Sequence, residues 1–211
     1  DLETYPGLDP WHPDARIRMA VITHAVGKAW IVQLRSNSQF PKWLRRIVEH
    51  PGITKAGSNI KFDKRWCARF GYDLINMHDT STAEHVLDCT NPLTDLKSLT
   101  FLYLPRLGDY SRGHRGLVKD RGGWEHIADD EQYDYCGADG EASIAAAKAQ
   151  ILALRREKLD RPFRLSMDLY EVLARMESRG ACVDMDRNAE LDQRFQSGMA
   201  DLRDQSTEAL G

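Results

Sequence analysis

The sequence predicts an α/β fold: a mixed sheet flanked by helices, followed by a C-terminal helical extension. Three observations carry this. Apolar and polar residues alternate between Arg16 and Leu34, as half-buried strands require. A strand-to-helix step runs from Ile53 to Phe70, and open α/β sheets place their sites at such edges. From Asp129 onward the apolar spacing is mostly helical. With 211 residues, 42% of them hydrophobic, the chain can bury one good core and perhaps a smaller appendage.

The elements follow in order. Ile17, Met19 and Val21 mark one strand and Trp30, Val32 and Leu34 a second, with Ala25-Val26-Gly27-Lys28 turning between them. Phe40 to His50 reads as a helix with Phe40, Trp43, Leu44, Ile47 and Val48 on its core face, stopped by Pro51-Gly52. A short strand, Ile53-Thr54-Lys55-Ala56, feeds Gly57-Ser58-Asn59 and then a helix from Ile60 to Phe70, with Trp66 and Phe70 inward. Asp79-Thr80 starts a helix to about Leu87, and Leu96 to Leu104 gives another. Ser111 to Trp124 reads as a loop in which Gly113, Gly116, Gly122 and Gly123 alternate with basic residues, a candidate DNA contact.

Asp129 to Ala153 is helical. After about Asp160, Arg161-Pro162 breaks the pattern. Leu165, Leu169, Val172, Leu173 and Met176 then form an apolar stripe ending at Gly180. Arg187 to Leu210 is a long polar helix with few core positions, which needs something beyond the chain to pack against. The domain reading is 1–160 for a catalytic domain and 161–211 for a helical linker.

A net charge of -3 and a pI near 6.2 announce no nucleic-acid binder, yet a site gripping a few nucleotides needs only a local positive lining. Cys67, Cys89, Cys136 and Cys182 are far apart and form no CxxC pair, so reduced thiols in a cytosolic protein are expected. The seven histidines show no ligand spacing, and His24 and His126 read as surface or edge residues. No apolar run approaches a membrane span.

The chemistry lies in scattered acids. Asp1-Leu2-Glu3 puts two carboxylates two positions apart, Asp63 falls in the first turn of a helix, and Tyr135 and Asp139 share a helix face at i and i+4. Gathered in a partly dry pocket, four carboxylates repel unless cations sit between them. Hard oxygen ligands suit Mg²⁺ or Mn²⁺, and paired ions of that kind cleave phosphodiesters. Asn59 and Asp63 also suit helix capping, which is compatible with metal binding. Asp79 reads as a helix start.

Asp1-Leu2-Glu3-Thr4, Asn59-Ile60-Lys61-Phe62-Asp63 and Tyr135-Cys136-Gly137-Ala138-Asp139 resemble, in order, the three motifs of the DEDD 3'-5' exonucleases of the tyrosine subtype. His78-Asp79-Thr80, Asp95-Leu96-Lys97-Ser98-Leu99 and the tail Leu173 to Gly180 with Val183-Asp184 are similar to the proofreading domain of bacterial and phage family A DNA polymerases. This resemblance implies a ribonuclease H-like fold and two divalent ions. Asp1 would bridge them, Glu3 and Asp139 complete the tighter site, and Asp63 hold the second ion partly through water. Tyr135 would orient the attacking water. Leu2 would wedge the last bases, and Thr4 and Asn59 contact the terminal nucleotide.

The implied substrate is a single-stranded DNA 3' end, since a paired end must first be unstacked. The implied partner is a polymerase chain beyond Gly211, its thumb beginning within 161–211, in the cytoplasm of a bacterium or a phage-infected host. An RNase D-like or oligoribonuclease-like RNA exonuclease would use the same ions. An inactive scaffold is a third reading, against which the four acids and the tyrosine argue. The chain lacks an initiator methionine, and we expect an excerpt whose upstream strand has been trimmed. A free α-amino group about 5 Å from a dication would cost roughly 6 kcal/mol at an effective dielectric near 20.

Overall fold

Three antiparallel strands form the platform of the chain, and β2 (Arg16–Ala25) is the middle one. The computed structural model describes residues 1–5, 9–34 and 38–210. β1 (Leu2–Tyr5) lies along one edge of β2, with Leu2 opposite Ala20 and a register shift between Glu3 and Thr4. β3 (Lys28–Gln33) lies along the other, with Val21 opposite Ile31. Gly27, at φ 85°, closes the turn between β2 and β3 in a conformation that costs glycine little. Ile17, Met19 and Val21 are buried, as their alternation predicts.

β4 (Lys55–Gly57) and β5 (Met77–Asp79) pair in parallel as a separate sheet, Lys55 opposite Met77. The mixed sheet expected from the sequence is therefore in two pieces among the described residues. A groove lined by Ala20, Val21, Thr23, Ala56 and Gly57 separates them. α2 (Ile60–Arg69) leaves β4 and α3 (Thr80–Leu87) leaves β5. Asp79 is buried and caps both, accepting from the Ile60 amide at 2.8 Å and the Thr82 amide at 2.7 Å. A carboxylate at two helix N-termini satisfies orphan donors and meets both dipoles. It also fixes where Asp63 falls. Asn59 occupies the N-cap of α2 at φ 55°, but its side chain makes no capping bond.

α1 (Lys42–Val48) buries Leu44 and Val48, whereas Trp43, expected inward, is 48% exposed. α4 (Leu96–Tyr103) starts at Asp95, which accepts from the Lys97 and Ser98 amides. α6 (Tyr133–Arg156) crosses the sheets and touches β2, β3, β4, α3 and α4. Its buried face is built from small residues, including Gly140, Ala142, Ser143 and Ala146, so the helix axis can approach the strands closely. At Gly140 a Cβ would overlap Thr23 Oγ1 and come within 3.2 Å of Val21 Cγ1.

The segment expected as a loop is mostly a helix, α5 (Ser111–Arg121). Its glycines do not prevent this because tertiary contacts outweigh propensity. His114 stacks on Tyr135 with ring centroids 4.0 Å apart, and Gly122 at φ 76° ends the helix.

By packing, the chain divides into units 1–175 and 176–211. The first runs past residue 160 because Phe163, Met167 and Tyr170 of α7 (Asp160–Arg179) join its core. Tyr170 bonds Thr82 at 2.8 Å, and Glu171 pairs with buried Lys64 at 2.9 Å. These anchors turn the predicted stripe outward: Leu165, Leu169, Val172 and Met176 are exposed. Gly180 at φ 70° ends α7, donating to the Met176 carbonyl at 3.0 Å. In the second unit, α8 (Met185–Leu210) exposes Phe195, Met199 and Leu202. Among the described residues no helix is long and apolar enough to cross a membrane.

Gly140→Ala should lower the melting temperature, at a cost of about 1–3 kcal/mol for overpacking against a stiff threonine. Gly137→Ala meets only Ala29 Cβ at 3.7 Å and should be neutral or slightly stabilising. Equal melting curves for the two variants would show that the close crossing imposes no constraint.

Candidate active site

Alternation along β1 sends Asp1 and Glu3 to one side and Leu2 and Thr4 to the other. The burial pattern agrees, with Leu2 and Thr4 buried. Leu2 packs in the main core with Ile17, Ile60 and Trp66. The pleat thus turns both residues read as nucleotide contacts, Leu2 and Thr4, into buried positions. What Leu2 does give the site is its amide, which donates to Asp63.

Carboxylate oxygens of Asp1, Glu3 and Asp139 lie within 4.8 Å of one another. β1 supplies the first two and α6 the third. Asp63 stands just outside that trio, buried on α2, with Oδ1 lacking a partner. Burial pushes the Glu3 carboxyl up to about 7; the Cys136 thiol, donating to Oε1 at 3.2 Å, opposes this, while Asp139 and Asp63 reinforce it. Burial likewise pushes Asp63 up to about 6, against the pull of the Asp1 ammonium and the Leu2 amide. Crowded, desolvated oxygens short of positive charge are a donor set that fits a hard divalent cation.

Side chains that the motifs did not single out complete the arrangement. Lys97 of α4 donates to the Asp139 carboxylate, to the Tyr110 hydroxyl at 2.8 Å and to the Tyr135 hydroxyl at 3.1 Å. Tyr110 also donates to Asp139. The Lys97 ammonium lies 4.5 Å and 4.4 Å from the Tyr110 and Tyr135 ring centroids, within cation–π range. Tyr135 stands one helical turn before Asp139. Burial first, then Asp139, holds its hydroxyl well above the usual phenol range, so it stays protonated. His114 covers one face of its ring, and Trp124 meets it edge-on at 6.2 Å.

Asn59 is exposed at the start of α2, its side chain uncommitted to the cap. Lys97 lies within Asp95-Leu96-Lys97-Ser98-Leu99, but nothing in its spacing from Asp139 signals a contact. His114 is hidden by the expectation of a loop over 111–124, and Tyr110, just ahead of that segment, carries no spacing signal.

Residues 1–149 match the family model described as 3'-5' exonuclease. The chain belongs to the 3'-5' exonuclease family. This agrees with the three motifs in their order. Over 169 residues the exonuclease chain is 25% identical to DNA polymerase I of Rhizobium leguminosarum, a match covering 77% of this chain and 16% of the polymerase. Its fold resembles Brucella melitensis NrnC with bound Mg²⁺, at a TM-score of 0.68 and 17% identity over 85% of this chain and 84% of that one. NrnC bound to pGG gives the same TM-score and identity, covering 85% and 83%. The exonuclease is thus an α/β protein of the ribonuclease H-like class, as its sequence predicts.

Glu3 and Asp63 hold protons more tightly folded than unfolded, where their values are near 4.5 and 3.8. The stability they contribute is therefore present at low pH and lost as pH rises through about 6 and 7. Without divalent metal, the melting temperature should fall by several degrees between pH 4.5 and 8. Glu3→Gln should flatten that slope, as melts across the range will show; an unchanged slope would remove Glu3 as its source.

Proposed function

We propose that the chain is a metal-dependent hydrolase that removes nucleotides stepwise from the 3' end of single-stranded nucleic acid, releasing nucleoside 5'-monophosphates. One observation carries the reading: Asp1, Glu3 and Asp139 converge within 4.8 Å beside Tyr135 and Asp63. Asp1, Glu3, Asp63 and Asp139 would hold two divalent ions, Mg²⁺ or Mn²⁺. Bound there, such ions lower the pKa of a coordinated water and steady a leaving oxygen.

The other steps belong to this chain. The protonated Tyr135 hydroxyl orients the attacking water by a hydrogen bond, held in aim by the His114 stack. Lys97 balances the Asp139 charge and holds Tyr135 by donating to its hydroxyl. Asn59 offers a free amide to the terminal nucleotide.

Short oligoribonucleotides are the substrate class we favour, an RNase D-like or oligoribonuclease-like role in the cytoplasm. Support comes from the coverage of NrnC, 85% of this chain and 83% of that one in the form bound to pGG. A second reading is proofreading of DNA 3' ends for a family A polymerase, with the rest of that polymerase following residues 161–211. The 25% identity to DNA polymerase I and the Leu173 to Asp184 tail favour it.

End-labelled RNA and DNA strands of matched sequence, incubated with Mn²⁺ or Mg²⁺, decide between them. We expect a ladder of shortened products, faster on RNA, lost in Asp139→Ala and slowed roughly 10²-fold in Tyr135→Phe. Faster turnover of DNA would transfer the assignment to proofreading. Undiminished turnover in Asp139→Ala would eliminate the site itself.

A further inference from the structure

α5 runs against the sign of the chain it belongs to. Its 11 residues hold Arg112, Arg115, Lys119 and Arg121 against one acid, Asp120, whereas the whole chain carries a net charge of -3. At about 100° per residue, Arg112, Arg115, Gly116 and Lys119 share one stripe of the helix. All four are exposed, while Ser111 and His114, off that stripe, are buried.

The stripe is only partly neutralised. Arg115 donates to Asp109 at 2.7 Å and to the Ser111 hydroxyl, and Arg121, off the stripe, pairs with Glu131 at 2.6 Å. Arg112 and Lys119 make no ion pair and no side-chain hydrogen bond among the described residues. Gly116 lies between them, and a Cβ there would meet nothing within 4 Å, so a backbone can approach the helix closely.

A charged helix face is ordinarily just solvated. The position of this one points elsewhere. His114, the neighbour of Arg115, stacks on Tyr135, and Trp124, just beyond the end of α5, meets the His114 ring edge-on at 4.8 Å. The helix is thereby fixed to the candidate site by one face and presents cations on the next. Arginine forks and lysine heads are the side chains that grip phosphate, and such contacts place a strand without reading its bases.

We propose that the Arg112–Lys119 stripe of α5 is a phosphate track for the part of a single strand upstream of the bond to be cut. Resting on the nuclease reading, this track adds a length to the substrate. Arg112 and Lys119 are about 10 Å apart along the helix axis, the span of two or three phosphates at roughly 3.4 Å or more each. Strands of about four nucleotides or more would use the whole stripe. The track meets phosphate alone, so it holds RNA and DNA alike.

Two hexanucleotides are titrated with the chain by fluorescence anisotropy across a range of salt. In both, a methylphosphonate makes the 3'-terminal linkage uncleavable; in the second, methylphosphonates also neutralise the linkages upstream. Arg112→Gln with Lys119→Gln should weaken binding of the charged strand about tenfold and reduce its salt slope by about 1.4, at roughly 0.7 per lost contact. The neutral strand should not distinguish the variant from the original chain. Lys42→Gln with Arg46→Gln on α1, an equal loss of exposed charge elsewhere, should leave the charged strand's slope unchanged. Gly116→Glu puts an acid in mid-stripe without steric conflict, so it should hold or raise the melting temperature yet weaken the charged strand.

An unchanged slope in the α5 variant overturns the track, as does an equal loss in the α1 variant or on the neutral strand. If the α5 variants bind as before while the chain still shortens strands with Mn²⁺, the track alone falls. A chain that neither binds nor shortens any strand loses the nuclease reading, and the track with it.

Discussion

Crowding of like charge is the constraint around which the first unit is arranged. Two carboxylates 4–5 Å apart repel by roughly 3–4 kcal/mol at an effective dielectric near 20, and burial deepens the cost. The fold offsets it with donors drawn from separate elements: Lys97 from α4, Tyr110 just before α5, the Cys136 thiol from α6 and the Leu2 amide from β1. None is near the others in sequence, so the acids are tolerable only once those elements have converged. Site formation and tertiary folding are one event here.

What makes convergence possible is small side chains in one place and buried polar anchors in another. Gly140 and its neighbours let α6 ride low on the strands, which carries Asp139 to β1. Asp79 fixes the starts of α2 and α3 together. Behind the site, Gln150 of α6 donates to the Thr80 carbonyl at 2.9 Å and to Glu84 at 3.0 Å, and Glu84 accepts from Tyr103 of α4 at 2.6 Å. That network ties the helix bearing Lys97 to the helix bearing Asp139. In a low dielectric such a fully paired set specifies one arrangement.

Whatever depends on local period or punctuation was legible in the sequence. The strands at 16–34, the helix after Asn59 and the one after Asp79 follow from alternation and capping, and the three motifs named the acids. Three kinds of feature were not legible. Long-range pairings such as Lys97 with Asp139 leave no trace in spacing. α5 hides behind glycines whose low propensity is outweighed by an aromatic stack that forms only in the fold. An apolar stripe states that a surface wants cover without saying which surface gets it: α7 buries Met167, packs the half-buried Phe163 and Tyr170 on the core and leaves Leu165 and Leu169 outside. For Leu2 and Thr4 the motif gives a position along the chain, while the pleat that buries both side chains is set by the pairing of β1 with β2.

The ammonium of Lys97 on Asp139 bears on how a divalent ion would enter. Entry is an exchange, as on a resin whose counter-ion is covalently tethered. A dication held by Asp139 would compete with a monovalent head that cannot diffuse away, so its apparent affinity would reflect a difference between two attachments. Once displaced, that head would remain on its four-carbon leash beside Tyr110 and Tyr135, a tethered cation free to meet an anion.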